Sequence, residues 1–154
     1  MAGIEHRERH PFADGMVAGA VAAIVSGVPS TAHALLTGAD PWAATEAAGS
    51  MVLPNETRRV PLVAAAVPVH ITLSCGWGVV LARCLPGRRT TLAGAVAGAA
   101  IGTFDLLVIG RAFERIRALP IGPQFADHIA FGAVAGAVIA ARRRSRSERG
   151  GLHP

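Results

Sequence analysis

The chain has 154 residues, of which 51% are hydrophobic and only 16% charged, and its formal net charge is +5. Its mean hydropathy is +0.43, whereas soluble domains carry about 25% charged residues. That balance excludes an ordinary soluble domain and predicts an all-α polytopic membrane protein. Nucleic acid is a poor partner: all 15 basic side chains are arginine, and they flank apolar segments instead of lining one face.

Residues 1–12 are polar and read as a cytoplasmic N-terminal segment. The first predicted span covers residues 13–36. Pro29, within Ser26-Gly27-Val28-Pro29-Ser30-Thr31, predicts a kink or short break there, with Ser30 placed to cap the following turn. Asp14 reads as a helix-start charge. The basic start, the apolar stretch and Thr31-Ala32-His33-Ala34 also fit a cleavable signal. Glu5 and Glu8 in the would-be basic region, and an apolar run reaching Leu36, favour retention instead.

The loop after it holds Asp40-Pro41-Trp42, a capping acid followed by proline at a first helical position. A short interfacial helix from Ala43 to Leu53 is expected in this outer loop, with Trp42 as anchor and Glu46 as a solvated charge. The second span is residues 60–82, bent at Pro68, and a tight turn at Leu85-Pro86-Gly87-Arg88-Arg89 leads into the third, residues 91–109. An amphipathic stretch from Arg111 to Leu119 precedes the fourth span, residues 124–141, and residues 142–154 form a basic cytoplasmic tail. The four spans make two hairpins in a bundle over residues 13–141. Ten arginines fall on the side of the termini and the middle turn and five on the other, so both termini are placed in the cytoplasm and the protein in the cell membrane.

Ala18-Gly19-Ala20-Val21-Ala22 recurs as Ala93-Gly94-Ala95-Val96-Ala97, and His70-Ile71 recurs as His128-Ile129, a hint of internal duplication. Cys75 and Cys84 fall on opposite faces of one helix, about 13 Å apart along its axis, and cannot pair with each other there. Both read as buried small residues.

Glycine stripes predict where helices pack: Gly15 and Gly19 on the first span, Gly94, Gly98 and Gly102 on the third, Gly132 and Gly136 on the fourth. Polar residues fall on the same faces. His33, His70, Ser74, Asp105, Arg111, Asp127 and His128 therefore form a candidate buried cluster in the outer half of the bundle, with Asp105 the least replaceable member and Arg111 or His128 its partner. Ionisable groups in lipid face protein and often mark function. Arg142, Arg143 and Arg144 are candidates for anionic lipid headgroups.

No motif names a reaction, and enzymatic chemistry is not favoured. The leading reading is a non-enzymatic assembly, accessory or envelope component, partnered by the bilayer and by a second copy or another membrane protein. The alternative is a small transporter or channel using the polar cluster for an ion, proton or solute. A metal- or haem-binding protein ranks third, since no spacing places two ligands on one helical turn. No cofactor is expected, and any metal is left open. The phrase His128-Ile129-Ala130-Phe131-Gly132, with Gly136 after it, is similar to helices of small bacterial membrane proteins, a resemblance limited to one helix that implies no activity.

Overall fold

The computed structural model describes residues 2–150, with side chains placed for residues 11–149. Helix α1 runs Ala2–Val25 and α2 Val28–Thr37. They are separated where Pro29, lacking an N–H, leaves the preceding turn without a donor. In α2 the same proline occupies the first turn, where the missing N–H is tolerated. Helix α2 stops at Gly38, whose left-handed backbone (φ 72°) suits glycine. Helices α3 (Ala43–Gly49), α4 (Arg59–Cys84) and α5 (Thr90–Phe104) follow. A wide π turn at Asp105–Ile109 and a tight 3-10 turn at Gly110–Ala112 then lead to α6 (Glu114–Arg117) and α7 (Ile121–Gly150). The described residues include no strand.

Four stretches are long and apolar enough to cross a membrane: Pro11–Thr37, Arg59–Cys84, Thr90–Ala112 and Ile121–Arg149. Two details depart from expectation: α3 stops at Gly49 well short of Leu53, and α7 carries on as helix through the basic segment from Arg142. Helix α4 accommodates Pro68 without interruption.

The distribution of side chains fits lipid surroundings. Large apolar residues point outward, with Ile24 84%, Leu36 86% and Val60 78% exposed. The interior combines small residues such as Ala18, Ala22 and Ala135 with Leu81, Ile101 and Phe131, and Leu62 and Ile139 are the largest side chains wholly enclosed. Such an arrangement would be unstable in water, where the driving force is apolar burial. It is ordinary for helices that pack through small residues while larger ones meet lipid.

Helix α1 packs on α4, α5 packs on α7, and α1 and α7 form the seam between these pairs. Helix α2 lies against α7, and α3 is held on α4 where Gly49 meets the carbonyl of Leu62. Helices α4 and α5 are bridged by Trp77 and Phe104, edge to face at 6.3 Å. Trp77 is partly buried against the core, and Phe104 is 45% exposed.

The two glycine-lined pairs interlock in the same register. Gly19 faces the carbonyl of Ser74, as Gly94 faces that of Gly132. Gly78 faces the carbonyl of Gly15, as Gly136 faces that of Thr90. Aligning the two Ala-Gly-Ala-Val-Ala segments, and His70 with His128, superposes these contacts. At Gly19, Gly94 or Gly132 a Cβ would overlap backbone of the facing helix, whereas at Gly76 it meets nothing. Replacing Gly19 or Gly132 by Leu should therefore cost at least about 1–3 kcal/mol. Gly76→Ala should leave stability unchanged or slightly raised. Thermal unfolding in detergent checks this, and equal losses at all three positions would contradict the packing.

Candidate functional site

Among the expected polar residues, Asp127 lies within electrostatic reach of both His70 and His128, and His128 of Asp105, whereas Arg111 is exposed. The break between α1 and α2 leaves backbone groups without helical partners, and two side chains from other helices reach them. The carbonyl of Ala23, in the last turn of α1, meets His70 Nε2 of α4 at 3.0 Å. A carbonyl only accepts, so this nitrogen carries the proton. In the first turn of α2, the backbone N–H of Ser30 donates to Asp127 Oδ1 of α7 at 2.9 Å. Ser30 itself is not the cap: its hydroxyl donates to the Gly27 carbonyl at 3.3 Å. A residue distant in sequence caps the helix, so the local pattern could not reveal it.

On the far side of α7, His128 Nδ1 lies 2.8 Å from the carbonyl of Gln124, and Nε2 lies 3.4 Å from Asp105 Oδ2 on α5. The first contact fixes Nδ1 as a donor. Nε2 then faces the Asp105 carboxyl at ion-pair distance. Both side chains are about a quarter exposed, His128 24% and Asp105 27%. Asp105 opens the π turn, a conformation frequent at functional sites; nothing in the sequence signals it. Its partner is His128, whereas the exposed Arg111 contributes its carbonyl to Arg117 Nη1 at 3.0 Å. Ser74 is buried at the α1–α4 crossing, and His33 lies half-buried on α2. Thus His70 and Ser74 sit on the α1–α4 side, and Asp105 with His128 on the α5–α7 side.

Among the described side chains the most buried acid is Asp14, only 2% exposed. It lies well inside α1 and is no helix-start charge. Arg142 Nε donates to its Oδ1 at 2.7 Å, and Arg146 donates to both of its oxygens. These arginines are one turn apart on α7, so both reach one carboxylate. Arg143 points elsewhere: its guanidinium donates to the carbonyls of Ala82 (2.9 Å), Leu85 (3.1 Å) and Pro86 (3.3 Å), closing the C-terminus of α4. The arginine run is therefore an internal fastening as much as a topological signal. Helicity through residue 146 was the missing clue, because it sets the i, i+4 spacing that Asp14 meets.

At the opposite end, Glu46 is not a solvated loop charge. It accepts from Arg59 Nε and lies 3.8 Å from Arg115, while Arg59 also binds Asp40. Arg115 further donates to the carbonyl of Glu56 at 2.9 Å. The loop after α2, the start of α4 and α6 are thereby joined. Asp40 Oδ1 accepts from the Trp42 N–H at 3.0 Å, starting the turn into α3. Glu56 accepts from the Arg58 guanidinium and from the N–H groups of Thr57 and Arg58, which holds its carboxyl down to about 2.

Cys75 is buried with its thiol 3.8 Å from the Met16 carbonyl, whereas Cys84 is exposed, contrary to the reading of both as buried. Among the described residues no three His, Cys, Asp or Glu side chains converge as a metal site would require. Compared with family models, with curated proteins and with solved structures, the chain matches none.

Removing Asp14 leaves two arginines without their carboxylate, although both reach solvent, at 38% and 34% exposure. Asp14→Ala should cost about 1.5–3 kcal/mol, the range for hydrogen bonds to charged groups. Asp105→Asn should cost roughly 0.6 kcal/mol, as intramembrane hydrogen bonds do on average. Unfolding midpoints in detergent check the order, and a larger loss at Asp105 would reverse it. For Glu56, a depressed folded value means that its hold on Arg58 is complete above the ordinary 4.5 and is lost as pH falls through about 2. The carbon-13 carboxyl resonance should titrate near 2, and a midpoint at 4.5 would show the loop contact to be unformed.

Proposed function

We propose that this chain is a non-enzymatic integral membrane protein, an assembly, accessory or envelope component, in which the intramembrane polar residues hold the helices together. The observation that carries this reading is the pairing of His70 with the Ala23 carbonyl and of Asp127 with the Ser30 N–H. Both groups are committed to backbone that the break in the first span leaves unsatisfied. Among the described residues no buried side-chain nitrogen or oxygen lacks a partner, as structural polar groups in a membrane require.

In this reading the four spans form two hairpins. The close backbone approach of α1 to α4 and of α5 to α7 supports that arrangement. The arginine count, ten against five, supports cytoplasmic termini in the cell membrane, with the α3 loop and α6 outside. The outward apolar surfaces face lipid or a further copy or membrane partner.

One observation favours the transporter alternative: Asp105 and His128, both ionisable, face each other at 3.4 Å beside a π turn and are both partly open. Reconstitution decides between the two. In vesicles with an internal pH dye and an imposed proton or potassium gradient, flux should equal that of empty vesicles, and Asp105→Asn should change only thermal stability. Flux above background that Asp105→Asn abolishes without unfolding would replace the structural reading by the transport one.

A further inference from the structure

Where the α4–α5 turn meets the extension of α7, an open cleft of about 830 Å³ is lined by Arg89, Thr90, Arg143, Arg144, Ser147 and Glu148. It lies at one membrane boundary, since Thr90 begins one spanning stretch and residues beyond Ala141 carry the charged end of another. Leu92, 61% exposed, and Ala140 add an apolar wall on the membrane side. We propose that this cleft binds the phosphate headgroup of an anionic phospholipid, with its acyl chains running down beside Leu92.

Charge and position favour that occupant. Three arginines and one glutamate line the cleft, an excess of positive charge. Arg142 is turned to Asp14 and does not line the cleft. Arg143 donates only to carbonyls, so its placement is fixed while its charge is left uncompensated. Arg144 is exposed and lines the same cleft as Arg89, which precedes α5 with a left-handed backbone (φ 54°) and no side-chain cap. The first N–H groups of α5 add a favourable partial charge but are secondary to the guanidinium groups. A basic site with an apolar wall at headgroup depth suits a lipid better than a freely soluble anion, which would gain nothing from Leu92. The inference rests on the membrane-spanning arrangement and is independent of whether the Asp105–His128 pair is structural or functional.

The test uses the full chain in detergent, with native mass spectrometry and thermal unfolding. Phosphatidylglycerol should be retained several-fold more than phosphatidylcholine of the same acyl chains, and should raise the melting temperature. The double variant Arg89→Asn/Arg144→Gln should lose that preference, asparagine being chosen because it tolerates the left-handed position. Arg115→Gln/Arg117→Gln, at the other end of the molecule, should keep it. Equal retention of the two lipids by the wild type would overturn the proposal, as would a preference surviving in the Arg89/Arg144 variant or lost equally in the Arg115/Arg117 one. Millimolar inorganic phosphate that displaces the lipid and reproduces the stabilisation would overturn the lipid assignment in favour of a free anion. If the double variant fails to fold, Arg144→Gln alone should reduce the preference, and an unchanged preference would contradict the site.

Discussion

A backbone polar group in lipid has no water to bond, and its partner must come from protein. This constraint acts hardest where the first span is broken between α1 and α2. The break leaves the carbonyl of Ala23 and the N–H of Ser30 facing away from regular helix, and His70 and Asp127 supply their partners. Because these side chains belong to α4 and α7, satisfying the break also fixes the first span against both neighbours. A local defect becomes a tertiary fastening. One of these hydrogen bonds ties α4 to α1 and the other ties α7 to α2, and glycine contacts bring α1 and α4 close together.

The first span is fastened to α7 at both of its ends by different chemistry, through α1 at one and through α2 at the other. At one end a nearly enclosed carboxylate, Asp14, receives two guanidinium groups. At the other a carboxylate, Asp127, receives a backbone N–H. The two acids lie on opposite helices, so neither α1 nor α7 carries the whole arrangement. The loops beyond the second end are joined through Glu46, Arg59 and Arg115. Between the ends, alanine and glycine share the interior with Leu81, Ile101, Phe131 and Ile139.

Much of this arrangement was legible in the chain. The four apolar stretches, the break at Pro29 and the glycine stripes are local or periodic signals, and each corresponds to an element or a contact in the fold. What was not legible depends on pairing over long sequence separations. Asp14 resembles any acid near the start of a helix until α7 is extended far enough for Arg142 and Arg146 to reach it. Asp127 resembles half of an acid–histidine pair, yet it caps a helix ninety-seven residues away. Arg142 to Arg144 resemble one basic run, but consecutive residues on a helix point about 100° apart. They therefore divide among an acid, three carbonyls and an open cleft. The π turn at Asp105 has no sequence signature at all, and it places the acid beside His128 and away from Arg111.

The central claim, that side chains from α4 and α7 complete the broken first span, is tested most directly by amide hydrogen exchange at Ser30. The wild type in detergent should protect this amide well above the rate of an open turn. Asp127→Ala should bring its exchange close to the open rate while amides at the Asp14 end of α1 keep their protection. Unchanged protection of Ser30 in the Asp127→Ala protein would contradict the claim, since the bond from α7 would then not be what satisfies the break.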